Sequence, residues 1–215
     1  MSLPFLNKPL RRTTLSGALA GAALLAGCGG GGDPLSNPSS VDNPVVTGGE
    51  ALSFAYFQKC IFPIFLEELP ITQNGVTSTN TCSGAGCHDS NTGTGGALRV
   101  IVGAQAVAQA DVATAATSSD AAAAIRLTDM YKNFYSAQGT TVFGSPLQSR
   151  LFEKPLVLNV LHGGGRIFAS QDDPNAKLIS YWISHPVPNG QNEFSTAAYS
   201  MFTPADPATG TCNTQ

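Results

Sequence analysis

Two cysteines and a histidine stand close together in the chain, in an order that suits covalent attachment of a cofactor. Four residues separate Cys82 from Cys87, and His88 directly follows the second cysteine. Two thiols can form thioethers with the vinyl groups of a haem, and an imidazole beside the second bond can reach the iron. The usual attachment motif has two residues between its cysteines, so this loop must bulge. We expect one covalent haem c, with His88 as the proximal iron ligand.

The same three residues allow two other interpretations. Cysteines of exported proteins are usually paired, so Cys82 and Cys87 can form a small-loop disulfide in which His88 has no part. The three side chains can also be ligands of a zinc ion, although an adjacent cysteine and histidine rarely reach one tetrahedral ion together. Haem attachment is the favoured interpretation.

The second axial ligand decides what such a haem can do. A haem with both axial positions filled carries electrons, whereas one with an open position binds or activates small ligands. His162 precedes three glycines, where backbone can approach a flat ligand closely, and it is the preferred distal candidate. A loop histidine that only forms hydrogen bonds is the alternative. The other candidates are His185 at a helix end, Met130 among core aromatics and Met201 in the C-terminal tail.

The N-terminus predicts export. Basic residues within positions 8–12 precede an apolar stretch that is too short for a permanent membrane helix of about 20 residues. The run Leu25-Ala26-Gly27-Cys28 resembles the lipobox of bacterial lipoproteins. This resemblance implies that residues 1–27 are a lipoprotein signal peptide and that Cys28 carries a lipid anchor. An ordinary secretory signal, with Cys28 as a stray residue, is the alternative.

A flexible segment and one domain follow the predicted signal peptide. Residues 28–50 are rich in Gly, Pro, Ser and Asn and predict a flexible tether, and residues 51–215 have the length of one domain. Under the lipoprotein resemblance, Gly29 favours the outer membrane, with the domain in the periplasm or at the cell surface. Charged residues make up only 12% and the formal net charge is −3, so no basic surface for nucleic acid is expected.

The remaining cysteines can be joined. Lipid and haem account for three of the five cysteines, which leaves Cys60 and Cys212. In an oxidising compartment these two can form a disulfide between the first helix and the C-terminal tail. A buried free Cys60 with a loose Cys212 is the alternative, because pairing cannot be deduced from sequence.

Helical patterns surround the cysteine–histidine motif. Ser53 can cap a first helix, which Pro63 kinks or restarts. The last helix has the clearest signature, with Asp173 as its cap, Pro174 at its first position and Pro186 at its end. Between them the sequence predicts a polar loop over 72–81, an extended run over 98–102, an uninformative segment over 103–119, a helix over 120–139 with Leu127, Tyr131, Phe134 and Tyr135 on one face, and a short helix over 146–152.

Several of these segments resemble the cytochrome c-like domains of bacterial envelope proteins, over most of residues 53–186. In that family the first and last helices cross beside the haem, a serine–leucine segment covers it, and a glycine-rich stretch before the last helix often carries a distal ligand. The resemblance implies a mainly α, cytochrome c-like helical domain with long irregular loops around one covalently bound haem. It rests on Tyr56 to Cys60, Pro63 to Phe65, Cys82 to His88, Gly95 to Arg99, Ser145 to Leu147, His162 to Gly165, and Leu178 to Ile183.

Motif and resemblance together imply a monohaem electron-transfer protein rather than an enzyme. Its partners would be envelope redox proteins, and its lipid would hold it at the membrane. A haem enzyme or small-ligand sensor with an open distal site is the first alternative, although the sequence offers no clear set of acid–base residues for it. A disulfide-stabilised scaffold lipoprotein without haem is the second.

Overall fold

The computed structural model describes residues 51–215, so the predicted signal peptide, the tether and Cys28 lie outside the described part. Helices predominate in this part, as the sequence predicts, and two small antiparallel sheets accompany them. No helix within these residues has the length and apolar character needed to cross a membrane. The elements are α1 (Phe54–Tyr56), a π-helical segment (Phe57–Ile61), α2 (Phe62–Leu66), β1 (Leu69–Gln73), β2 (Val76–Asn80), α3 (Gln109–Ala115), α4 (Ser119–Arg126), α5 (Asp129–Gln138), a 3-10 turn (Pro146–Gln148), α6 (Arg150–Leu156), α7 (Pro174–Ser184), a second 3-10 helix (Thr196–Met201), β3 (Phe202–Thr203) and β4 (Thr211–Cys212).

The first helix changes its winding where a proline removes a donor. The Ser53 hydroxyl accepts from the Tyr56 amide and caps the start, as the sequence predicts. Pro63 has no N–H to donate to the preceding turn, and just ahead of it the Phe62 amide donates to the carbonyl of Phe57, one residue further back than in an α-helix. The chain therefore continues from α1 to α2 through the π-helical segment instead of breaking.

The last helix crosses this first helix in the core. The Asp173 carboxylate accepts from two amides of the first turn of α7, and Pro174 occupies the first helical position, as predicted. The ring centroids of Phe57 and Trp182 lie 5.5 Å apart, and the Trp182 indole N–H donates to the buried Ser53 carbonyl at 3.0 Å. This crossing fixes the two helices that border the candidate site.

A β-hairpin replaces the polar loop that the sequence predicts over 72–81. Strand β1 pairs with β2 in antiparallel register, and the two-residue turn between them is Asn74-Gly75, both with positive φ. An Asn-Gly pair is the strongest short signal for such a turn, because both positions favour this backbone conformation. The prediction of a loop was wrong because the Thr- and Ser-rich strand β2 is exposed along its whole length and lacks an alternating apolar pattern.

The predicted single helix over 120–139 is two helices. α4 ends before Leu127, and α5 starts behind Thr128, whose hydroxyl accepts from the Tyr131 amide. Thr128 therefore acts as a new N-cap inside the predicted helix. Leu127 and Tyr135 are 79% and 66% exposed, whereas Phe134 is fully buried, so the prediction that these residues share one face was wrong. The segment that seemed uninformative contains α3.

The short helix predicted over 146–152 is also divided. Its start forms the 3-10 turn, and the α-helix α6 begins at Arg150 and continues to Leu156. The buried Ser149 between them donates its hydroxyl to the Ser145 carbonyl at 2.8 Å and accepts from the Val142 amide at 2.8 Å. These side-chain bonds compete with continuous helix geometry at this position.

A disulfide joins Cys60 to Cys212, the pairing expected from the sequence. The bond holds strand β4 against the π-helical segment, across a sequence separation of 152 residues. Nearby, the Lys59 ammonium donates to the Gly210 carbonyl at 2.6 Å. The C-terminal strand is therefore held by covalent and polar contacts to the first helix.

Removal of this disulfide is expected to lower the free energy of unfolding. We expect the double variant Cys60→Ser/Cys212→Ser to lose about 2–4 kcal/mol, because the cross-link restricts the unfolded chain over a long loop. Denaturant unfolding at equilibrium measures the change. A reductant should bring the parent to the stability of the variant and leave the variant unchanged. Equal stability of the oxidised parent and the variant would contradict the expectation.

Candidate functional site

The predicted haem residues meet at one cavity. Cys82, Cys87, His88 and His162 all line a cavity of about 610 Å³. Sites for small molecules and cofactors typically measure about 300–1,000 Å³. Apolar side chains from the surrounding elements form much of the wall: Ile64 and Phe65 of α2, Ile71 of β1, Leu151 of α6 and Ile179 of α7.

The long gap between the two cysteines is folded into tight turns. The Gly84 amide donates to the Thr81 carbonyl at 3.1 Å, and the Cys87 amide donates to the Gly84 carbonyl at 2.9 Å. The His88 amide donates to the Cys82 carbonyl at 3.0 Å, which brings the end of the loop back to its start. The extra residues are thus taken up within the loop, and both thiols and the imidazole stay at the cavity wall.

His88 is oriented by the chain that follows it. Its Nδ1 lies 3.1 Å from the Leu98 carbonyl oxygen, which can only accept, so Nδ1 carries the proton. Gly95 leaves the space for this ring, since a Cβ there would lie 2.5 Å from Nδ1. The His88 carbonyl accepts from the Val100 amide at 2.7 Å and fixes the same segment. The arrangement leaves Nε2 of His88 as the nitrogen with a free lone pair.

His162 has the same arrangement in its own loop. Its Nδ1 lies 2.7 Å from the Gly165 carbonyl oxygen, and the Gly165 amide donates back to the His162 carbonyl at 2.9 Å. The proton therefore lies on Nδ1 of His162 as well, and Nε2 is free. Metal-bound histidines usually donate their other ring N–H to a carbonyl or carboxylate in this way.

The two imidazoles stand at the separation that one shared metal ion requires. Their ring centroids are 6.2 Å apart and their planes differ by 11°. Two imidazole nitrogens on opposite sides of one first-row metal ion, each about 2.0–2.1 Å from it, place the ring centroids roughly 6 Å apart. The distance between His88 and His162 is therefore compatible with one metal ion between them, although the two residues come from distant parts of the chain.

Burial keeps both imidazoles neutral. It lowers the pKa of His88 and of His162 below the ordinary value of 6.5, and the positive charge of Lys154 lowers both further. The hydrogen bonds to Leu98 and Gly165 oppose this shift without reversing it. A neutral imidazole is the form that binds a metal ion, so the site favours ligation over protonation at neutral pH.

Two basic side chains of α6 line the same cavity. Arg150 and Lys154 are one helical turn apart, and within residues 51–215 neither side chain has a hydrogen-bond or ion-pair partner. An anionic group of a ligand would find two cations there. The sequence prediction missed both residues, because the helix predicted over 146–152 ends before Lys154, whereas α6 continues to Leu156.

The other candidates for a distal ligand lie away from the cavity wall. His185 is exposed at the end of α7, where its Nδ1 bonds the Tyr181 carbonyl at 2.8 Å and its ring stacks on Tyr181. Met130 and Met201 are buried in the hydrophobic core, so Met201 is not the surface residue that its place in the C-terminal tail suggests. None of the three lines the cavity.

The two alternatives for the cysteines gain no support. Cys82 and Cys87 are both free thiols rather than a disulfide. Burial, followed by the neighbouring Cys87, raises the pKa of Cys82 to about 12, so this residue is a thiol rather than a thiolate at neutral pH. Within residues 51–215, no group of three or more His, Cys, Asp or Glu side chains is arranged to hold a metal ion. A haem needs only two axial residues besides its attachment points.

The serine–leucine segment, which the family resemblance predicts to cover the haem, does not reach the cavity through Leu147. Leu147 of the serine–leucine segment is 59% exposed and does not line the cavity. The wall on this side comes from Arg150, Leu151, Lys154 and Pro155. The segment predicted to cover the haem therefore leads into helix α6, which lies against the cavity itself.

No family model, curated protein or solved structure matches this chain. The resemblance to cytochrome c-like domains therefore rests on the motifs of the chain alone. By their chemistry, the thiols, the paired imidazoles, the apolar walls and the two cations all fit a haem.

Proposed function

We propose that this protein is a c-type monohaem electron-transfer protein of the bacterial envelope. Its described part would be the cytochrome c-like domain, and Cys28 would carry the lipid that tethers it, at the outer membrane. Electrons would pass between this haem and redox proteins of the envelope. The one observation that carries the proposal is the pair of nearly parallel imidazoles, 6.2 Å apart, beside Cys82 and Cys87.

The residues of the site divide the work of holding a haem. Cys82 and Cys87 would fix one edge through thioethers, and Nε2 of His88 and of His162 would take the two axial positions. When bound, a haem supplies an iron that can accept and release one electron reversibly. Because His162 closes the second position, external ligands would be excluded, which favours electron transfer over ligand activation.

The surrounding residues would support this role in other ways. The carbonyls of Leu98 and Gly165 hold the protons on Nδ1 of the two histidines and keep Nε2 available. Apolar side chains such as Phe65 and Ile179 line the cavity and would pack against the haem. Lys154 and Arg150 would meet the carboxylate groups of the haem and offset their charge.

A visible spectrum is the direct test of this function. We expect protein matured with a c-type haem attachment system to show the sharp bands of a low-spin, six-coordinate haem in both oxidation states. The reduced form should bind carbon monoxide poorly, because His162 fills the position it needs. Purified full-length chain, oxidised and then reduced, is sufficient for the measurement.

Two outcomes would contradict the proposal in different ways. Absence of a Soret band after maturation would favour the scaffold lipoprotein without haem. A high-spin haem that binds carbon monoxide rapidly in the parent protein would favour the enzyme or sensor with an open distal site.

A further inference from the structure

Hairpin β1–β2 lies between the two halves of the candidate haem site. Strand β2 ends at Asn80, directly before the cysteine–histidine motif that supplies Cys82, Cys87 and His88. The Asn80 carboxamide oxygen accepts from the Thr81 amide at 2.8 Å and fixes the exit from the strand. On its other edge, β1 contacts the loop that carries His162. The hairpin is therefore a direct link between the proximal and the distal residues.

The contact with the distal loop consists of paired backbone bonds. The Thr72 amide donates to the Arg166 carbonyl, and the Arg166 amide donates to the Thr72 carbonyl, both at 2.9 Å. This antiparallel bridge makes β1 the middle strand between β2 and the distal loop. The residue after Gly165 is thus held to the hairpin by two hydrogen bonds.

A side chain of the hairpin holds the other end of the same loop. The Gln73 carboxamide Nε2 donates to the Gly163 carbonyl at 2.8 Å, next to His162. Gly165 approaches β1 so closely that a Cβ there would lie 2.5 Å from the Thr72 carbonyl oxygen, and its φ is +81°. Only glycine fits this position without displacing the loop.

We propose that hairpin β1–β2 is a clamp for the distal ligand, with Gln73 and Gly165 as positioning residues for His162. The clamp holds the loop from 163 to 166 at both ends, and the Gly165 carbonyl in turn orients the imidazole. It thereby maintains the separation of His88 and His162 and limits how often His162 leaves the iron. This inference rests on the proposed haem function, since the clamp acts on an axial ligand.

The test compares two clamp variants with two matched controls in the haem-loaded full chain. Gln73→Ala is paired with Gln105→Ala, because Gln105 also donates its Nε2 to a glycine carbonyl, that of Gly103 at 3.0 Å, and does not line the cavity. Gly165→Ala is paired with Gly190→Ala. Gly190 has a similar φ of +77°, and nothing lies within 4 Å of an added Cβ.

Gln73→Ala is expected to keep its covalent haem. Its melting temperature should equal that of the control variant Gln105→Ala. Its ferrous form should bind carbon monoxide faster by about two- to tenfold, the population change that one net hydrogen bond produces. Gly165→Ala is expected to show a larger increase and a high-spin fraction in the ferric spectrum, whereas Gly190→Ala should show neither. The melting temperature reports general stability, and the spin state and carbon monoxide rate report the position of His162.

Unchanged spin state and carbon monoxide binding in Gln73→Ala would overturn the clamp, even if Gly165→Ala fails to fold. Hydrogen exchange at the Thr72 and Arg166 amides provides a readout that does not need haem. Both amides are expected to be protected in the parent and to exchange faster in Gln73→Ala than in Gln105→Ala. Rapid exchange of both in the parent would reject the clamp whether or not haem is bound. A parent chain without covalent haem but with these amides protected would reject the proposed function, and with it the role of His162 as a ligand, while the attachment of the 163–166 loop to the hairpin would stand.

Discussion

Replacing both Cys82 and Cys87 with serine is expected to abolish covalent haem, and replacing either one alone should leave a single thioether. Each bond forms when a thiol S–H adds across a vinyl C=C, so that sulfur binds one carbon and the hydrogen ends on the other. The addition consumes no oxidant, and each cysteine accounts for one vinyl group. Intact mass after maturation should therefore show one haem on the parent and on each single variant, and none on the double variant.

The matched control uses the other cysteine pair. The variant Cys60→Ser/Cys212→Ser should retain covalent haem. In the parent these two cysteines form a disulfide, and neither of them lines the cavity. Extraction of the pigment from the parent by acidified acetone would contradict thioether attachment. Peptide mapping that finds a Cys82–Cys87 disulfide in exported protein, with the mass lowered by two hydrogen atoms, would favour the scaffold alternative.

The candidate attachment residues could be identified from the sequence alone because their chemistry is local. Cys82, Cys87 and His88 lie within one short segment, and their order alone indicates how a haem would be held. The loop geometry between the cysteines needed the structure, because the Gly84 carbonyl could have bonded several different amides. The turns that absorb the long gap follow from contacts that spacing alone does not specify.

The distal side was only partly predictable. His162 was identified because three glycines follow it, yet its distance from His88 depends on how the whole chain folds. The hairpin that positions it was missed, although Asn74-Gly75 is a strong turn signal, since exposed strands with many Thr and Ser residues look like loop sequence. Tertiary contacts such as that between Gln73 and Gly163 have no local sequence signature.

The helices show the same division between local and tertiary information. Asp173 and Pro174 mark the start of α7 through side-chain bonds within one turn, so the boundary was predicted correctly. Thr128 also acts as a cap, but it lies inside an apolar periodic pattern that favoured one long helix. Leu127 follows that pattern and is nevertheless exposed, because the break after α4 turns it away from the core.

The His162→Ala variant is expected to keep its covalent haem and to lose its sixth ligand. Its ferric spectrum should change from low-spin to high-spin, because His88 would already hold the other side of the iron and no further cavity-lining residue of the described part is a histidine or methionine. An internal ligand that leaves the position open for about one part in a hundred of the time lowers the apparent affinity for an external ligand about a hundredfold. Carbon monoxide should therefore bind the reduced variant with an affinity roughly a hundredfold higher than the parent.

The exposed His185 provides the matched control, because His185→Ala removes an imidazole that stacks on Tyr181 and does not line the cavity. This variant should retain the low-spin spectrum and the weak carbon monoxide binding of the parent.

Two nitrogen ligands favour the oxidised iron more than a histidine–methionine pair does, so the parent should have a lower reduction potential than histidine–methionine cytochromes. An unchanged low-spin spectrum in His162→Ala would place the ligand elsewhere. A methionine-to-iron charge-transfer band in the parent would then redirect the assignment to Met130 or Met201, either of which would have to leave the core to reach the iron.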